Sequence, residues 1–297
     1  MKRRQLIQSL MAGTAGLLVA NSAVAAQVAD IDAQGENAPL KGRIRHSVCR
    51  WTYGHLSLPE LCAAVKKIGF AAIDLIGPKE WEVLKTHSID SSMCNGAEIS
   101  LTEGWNNPQY HATLVKNYTD HIDWVAKAGY KNLICFSGNR RGMDDETGLK
   151  NCVAGLKQIM SLAEQKGVVI QMELFNSKVD HKDYMGDKSA WGVELCKRLR
   201  SPNFKLLYDI YHMQINEGDV IRTIKDNHAY FGHYHTAGVP GRHEIDETQE
   251  LYYPAIMQAI LATGYTGYVA QEFIPTGADN ADKMKALKKA VKVCDVG

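Results

Sequence analysis

Gly167-Val168-Val169-Ile170-Gln171-Met172-Glu173 opens on a glycine, runs through three β-branched residues and stops on a carboxylate. A short apolar, β-branched run bounded by a turn residue reads as a buried strand. Segments with helical spacing flank it, over 146–167 before and 188–199 after. Helix, strand and helix in alternation are the signature of a parallel sheet wrapped by helices.

Worked outward from this strand, the same unit recurs eight times. Strands are expected near 44–50, 71–76, 91–96, 131–137, 168–174, 205–209, 230–235 and 267–273. Helices are expected near 57–68, 78–86, 109–129, 146–167, 188–199, 217–227, 250–262 and 280–293. The third helix is the clearest. Leu114, Tyr118, Ile122 and Val125 repeat at steps of three and four, and Gly129 stands where a C-terminal cap belongs. No proline- or serine-rich linker interrupts 42–297. Eight units in about 250 residues predict a single α/β domain closed as a (β/α)8 TIM barrel. The alternative is an open doubly wound sheet, whose usual GxGxxG turn after the first strand is absent.

The ends of the chain read differently. Lys2, Arg3 and Arg4 precede a mildly apolar stretch, Leu10 to Ala20, and the small-x-small site Ala23-Val24-Ala25. This is the layout of a signal peptide over 1–26, and the paired arginines followed by Gln5-Leu6-Ile7 resemble a twin-arginine export signal. The apolar stretch is too short to span a bilayer. Residues 27–41 show no periodicity and read as a flexible lead-in. The expected location is therefore periplasmic or secreted.

Composition sets further bounds. With 45% hydrophobic and 23% charged residues the chain is of ordinary globular type. The formal net charge of +1 loses the three positive charges of Lys2, Arg3 and Arg4 on cleavage and becomes −2. A near-neutral chain lacks the electrostatic footprint of a nucleic-acid binder. The seven cysteines are odd in number, scattered and without CxxC spacing, so neither a disulfide framework nor a cysteine zinc site is expected. The sequence leaves the oligomeric state open, and a homo-oligomer is compatible with it.

In barrels of this kind the chemistry lies at the C-terminal ends of the strands. Strands five to eight end in succession on Glu173, Asp209, His235 and Glu272. Singly, each is an ordinary polar strand end. Together they converge on one mouth, where three carboxylates repel one another and resist desolvation unless a cation is present. Three carboxylates and one imidazole suit Mn2+, Mg2+ or Co2+ better than a sulfur-rich zinc site. His212 stands three residues beyond Asp209. Arg242 lies in the Gly/Pro loop after strand seven. Both residue types can hold substrate hydroxyl, carboxylate or phosphate oxygens, although surface loop polarity explains them equally well.

The strand-end set, the DxxH of Asp209–His212 and the GHxH…PxR of Gly232–His235 and Pro240–Arg242 resemble the xylose-isomerase-like barrel superfamily. Within it the chain looks most like hydroxypyruvate isomerase and the ketose 3-epimerases. The opening strand Ser47-Val48-Cys49-Arg50-Trp51 shares that likeness, which covers about residues 42–295. The resemblance implies one divalent metal, with Mn2+ favoured, on Glu173, Asp209, His235 and Glu272. It also implies acid–base roles for Glu173 and Glu272, and substrate contacts from His212 and Arg242, with Arg50 and Trp51 added on the first strand. The implied activity is proton transfer through an enediolate on a hydroxy-keto acid or keto-sugar, giving isomerisation or epimerisation. Loss of a β-substituent from the same intermediate would give a lyase or dehydratase. An endonuclease-IV-type phosphodiesterase shares the barrel but needs a histidine-rich multi-zinc site and a basic surface. A non-catalytic sugar-binding barrel would have no need of the two glutamates.

Overall fold

Eight parallel strands pair in chain order and close on themselves in the computed structural model, which describes residues 38–297. The expected signal peptide, and the lead-in as far as residue 37, lie outside the described residues. The strands are β1 (Arg45–Cys49), β2 (Ala72–Ile76), β3 (Asp90–Cys94), β4 (Asn132–Cys135), β5 (Val169–Glu173), β6 (Phe204–Asp209), β7 (Phe231–Thr236) and β8 (Tyr268–Gln271). Closure is made by β8 against β1, with Ser47 opposite Ala270. The α/β barrel expected from the alternating pattern is the fold, and each expected strand overlaps an observed one.

The helices are α1 (Leu58–Ile68), α2 (Trp81–His87), α3 (His111–Ala128), α4 (Asp145–Lys166), α5 (Ser189–Leu199), α6 (Ile210–Asn216), α7 (Val220–Asn227), α8 (Tyr253–Ala262) and α9 (Asn280–Cys294). Local chemistry explains their ends. Ser57 and Glu60 form a reciprocal capping box at the start of α1. Gly129 ends α3 in the left-handed region, φ 85°, where a side chain would be strained. In the interface between barrel and helices, the Tyr118 hydroxyl on α3 donates to the Ile134 carbonyl at 2.8 Å. All seven cysteines are buried and free. No helix among the described residues is long and apolar enough to cross a membrane.

Helix α6 was not expected from the sequence, where 210–216 read as a connection before a helix at 217–227. The Asp209 carboxylate is the reason for α6. Its Oδ1 accepts from the backbone N–H of Tyr211 at 2.8 Å and of His212 at 3.3 Å, capping a helix that starts directly at the strand end. Gly218 (φ 67°) and Asp219 (φ 44°) then break the chain, so α7 begins only at Val220. The cap also fixes His212, in the first turn of α6, beside Asp209.

Candidate metal and active site

Register brings the strand-end residues to one mouth. Asp209 and His235 are direct partners across β6 and β7, and Glu173 pairs at the level of Leu207 one strand away. Glu272 follows β8 by one residue, its N–H donating to the Thr236 carbonyl at 2.8 Å. Glu173, Asp209, His235 and Glu272 are all buried, and each offers a ligand atom within 4.8 Å of the others. Donors about 2.0–2.6 Å from a shared cation stand at most about 4–5 Å apart, so the set has the right size for one ion. The hard, oxygen-rich donors suit a divalent cation.

Hydrogen bonds divide the two glutamates. Glu272 is pinned at both oxygens. Its Oε1 accepts from Trp51 Nε1 at 2.8 Å, and its Oε2 lies 2.7 Å from His235 Nδ1 and accepts from the Arg242 guanidinium at 2.6 Å. Glu173 Oε1 is buried with no hydrogen-bond partner, 3.5 Å from His235 Nδ1. An unsatisfied buried carboxylate oxygen costs free energy unless a proton or a cation meets it.

The electrostatics follow the same division. Burial first, then repulsion from Glu272, raises the Glu173 carboxyl to about 7. Burial raises Asp209 to about 8, with Arg242 opposing the rise. Burial disfavours charge on Glu272 as well, but Arg242 and His235 outweigh it and hold the carboxyl well below the usual range. Burial alone would lower His235; Glu272 and Asp74 overcome it and raise the imidazole well above its usual value. Two neighbouring carboxyls whose environments push their proton affinities apart are the arrangement that separates acid–base roles.

His212 and Arg242 are brought to the cluster. His212 Nε2 lies 3.5 Å from Asp209 Oδ2, and Arg242 also donates to Asp209 Oδ2 at 3.2 Å. The guanidinium sits over the rings of Trp51 and Tyr211, at 5.2 and 5.4 Å. Arg242 adopts φ 60°, and its carbonyl accepts from the Ile274 N–H at 2.6 Å, which ties the β7–α8 loop to the exit of β8. A long side chain held in the left-handed region beside a buried charge cluster is the kind of strain found at binding sites. Trp51 reaches the cluster through Glu272 while the residue remains 46% exposed. Arg50 is not brought to it. Its guanidinium donates to the Tyr53 carbonyl at 2.9 Å and lies 3.6 Å from Glu80.

Asp74 on β2 was missed from sequence. It is fully buried, and its Oδ1 lies 3.0 Å from His235 Nε2 while its Oδ2 lies 2.9 Å from His233 Nε2 and accepts from Ser92 Oγ at 2.5 Å. A carboxylate on the far nitrogen of a histidine fixes which nitrogen keeps its proton. Here Nε2–H belongs to Asp74, and Nδ1 faces the carboxylates. A lone Asp in the run Ala72-Ile73-Asp74-Leu75-Ile76 carries no motif. The only signal available was a charge inside an otherwise apolar strand.

The Xylose isomerase-like TIM barrel family model matches residues 62–292, most of the barrel. The chain belongs to that family. A 2-oxo-tetronate isomerase from Cupriavidus necator is 36% identical over 119 residues, 40% of this chain and 45% of the relative, so less than half of that protein's length is matched. A putative hydroxypyruvate isomerase from Xenopus laevis is 23% identical over 252 residues, 80% of this chain and 91% of the relative. The crystal structure of D-psicose 3-epimerase in the presence of D-fructose superposes with a TM-score of 0.70, covering 84% of this chain and 97% of that one at 18% identity, a likeness of fold. Glu173, Asp209, His235 and Glu272 together occupy the mouth of this xylose isomerase-like barrel.

Proposed function

We propose that this chain is a divalent-metal-dependent isomerase or epimerase that moves a proton on carbon beside the carbonyl of a short hydroxy-keto acid or keto-sugar, in the manner of a hydroxypyruvate isomerase. The observation that carries this reading is the pairing of a pinned, ionised Glu272 with an unpartnered Glu173 raised to about 7 in one buried, metal-sized donor set. The names of the relatives, isomerases of 2-oxo-tetronate and hydroxypyruvate, support the choice of substrate class. Glu173, Asp209, His235 and Glu272 would hold the ion, Mn2+ by preference. When bound, the cation supplies the positive charge that stabilises developing negative charge on the substrate oxygens.

The residues of the chain do the rest. Glu173, with one free oxygen and an affinity for protons near neutrality, removes the proton and returns it. Glu272 stays charged and is oriented by Trp51 and Arg242. Arg242, with its planar fork, suits a substrate carboxylate or hydroxyl pair, and Trp51 and Tyr211 wall the approach. Incubation of Mn2+-loaded protein with hydroxypyruvate, 2-oxo acids and ketoses in D2O tests the reading. Deuterium is expected at the carbon next to the carbonyl of at least one of them, and no uptake from any of them would overturn it.

Two further results are expected of the cluster. The first concerns pH. Glu173, Asp209 and His235 bind protons more tightly folded than unfolded, whereas burial lowers His212 and His233; above about pH 6.5, where those two are largely neutral in both states, the folded chain carries more protons, up to about pH 8. Stability of the metal-free protein therefore falls as pH rises through that window, which thermal unfolding reads directly. Metal must displace the same protons, so Mn2+ affinity rises with pH, by up to about tenfold per unit for each proton released. A flat affinity between pH 6 and 8 would mean the ion binds elsewhere. The second concerns Asp74→Asn, which removes the charge that holds His235 Nε2. Mn2+ affinity measured by equilibrium dialysis is expected to drop about 10–100-fold while the fold persists.

A further inference from the structure

Three residues beyond β5, Asn176 is fully buried. Its side-chain oxygen accepts from the backbone N–H groups of Val179 and Asp180, both at 3.0 Å. That settles which end of the amide is the nitrogen, because an NH2 group cannot accept from two N–H donors. Nδ2 then donates to Asp180 Oδ2 at 2.6 Å and meets His212 Nδ1 at 2.7 Å.

A donor aimed at Nδ1 requires a lone pair there. His212 is therefore a neutral imidazole with its single hydrogen on Nε2. Nε2 is the atom left over. It has no hydrogen-bond partner, its side chain is fully buried, and it lies 3.5 Å from Asp209 Oδ2 at the edge of the cluster. The ring is packed edge-on against Phe175 and His181, at 4.9 and 5.1 Å between centroids. Its orientation is fixed as well as its proton.

We propose that Asn176 is a positioning residue whose amide locks His212 in the Nε2–H tautomer, so that the mouth presents a fixed N–H donor to a substrate oxygen beside the metal-ligating set. The substrate half of this statement rests on the function proposed above; the tautomer does not. A fixed donor selects a carbonyl, hydroxyl or carboxylate oxygen at that position and rejects an ammonium there, since two donors would face each other.

The test uses the full chain, metal-free, with 15N-labelled histidine at pH 7.5. Long-range 1H–15N correlations distinguish the two neutral tautomers from the doubly protonated ring, and loss of the signal in His212→Gln assigns it. Wild-type His212 is expected as Nε2–H, and Nδ1–H or a doubly protonated ring there would overturn the proposal. Asn176→Asp puts an acceptor at Nδ1 and is expected to move a proton onto it, whereas an unchanged Nε2–H signal would overturn the lock. Should that variant fail to fold, Asn176→Ser is read instead. A mixture of tautomers supports the lock, and an unchanged signal overturns it. In Mn2+-loaded protein, Asn176→Asp is expected to cost about 10–100-fold in kcat/KM at unchanged metal content. Unchanged kcat/KM with a switched tautomer would overturn the donor role. A wild-type Nε2–H signal together with no turnover of any substrate would overturn only the proposed function.

Discussion

Glu173→Gln is expected to keep its metal and lose its chemistry. Glutamine preserves the shape of the side chain and one oxygen for the ion, but it cannot accept a proton. A general base contributes about 10²–10⁴-fold, so kcat should fall by that factor while Mn2+ content and KM stay close to wild type. The two glutamates differ in their surroundings. Glu173 Oε1 is the buried oxygen without a partner, and burial and Glu272 raise the group to about 7. Glu272→Gln should also cost turnover by orders of magnitude, but through a second route. The neutral amide no longer balances Arg242 and His235, which lie 2.6 and 2.7 Å from Glu272 Oε2. Single-turnover measurements in D2O separate the two. Near wild-type deuterium uptake in Glu173→Gln would remove the residue from the base role. Glu272 would then be the candidate, because the His212 nitrogen that faces the cluster carries a hydrogen. Lys178 would not, because its ammonium donates to the carbonyls of Ile215 and Asn216 at the end of α6.

Asp209→Asn and His235→Ala are expected to lose metal and activity together. Each removes one donor of four from the set, and His235→Ala also leaves Asp74 facing Glu173 and Glu272 across the space of the lost ring. Buried carboxylates left without a countercharge must take up protons, which compete with the ion. Bound Mn2+ measured on the purified variants should fall to a small fraction of wild type, with activity restored at most partly by excess metal. Asp209→Asn carries an extra cost that His235→Ala does not. Asparagine can still cap α6 through its side-chain oxygen, but it loses the charge that pairs with Arg242. Full metal content in both variants at micromolar Mn2+ would place the ion outside this cluster.

The sequence carried the barrel because its signal is local. Valine-rich runs such as Val168–Ile170 and the three-four spacing of Leu114, Tyr118, Ile122 and Val125 are readable within one element, and the closed strand order follows from repeating the unit. The strand-end donors Glu173, Asp209, His235 and Glu272 were legible for the same reason, since a parallel barrel puts every strand end at one mouth. Helix α6 was not, because Asp209 was read as a strand end and its second role as an N-cap depends on where its side chain turns. Arg50 shows the converse. Its place beside Trp51 on the first strand suggested the site, yet its guanidinium found Glu80.

By itself, then, the sequence determined a (β/α)8 fold and the chemical character of the mouth. Those depend on periodicity within elements and on a topology that places strand ends together whatever the side chains. Tertiary structure alone decided which glutamate is pinned and which is free, which nitrogen of His235 Asp74 holds, and which nitrogen of His212 carries the hydrogen. Asp74 meets His235 across 161 residues of chain, and Trp51 meets Glu272 across 221. Such contacts leave no periodic trace. They arise when closure of the barrel removes water from groups far apart in sequence, and each must then find its proton, partner or ion among whatever faces it.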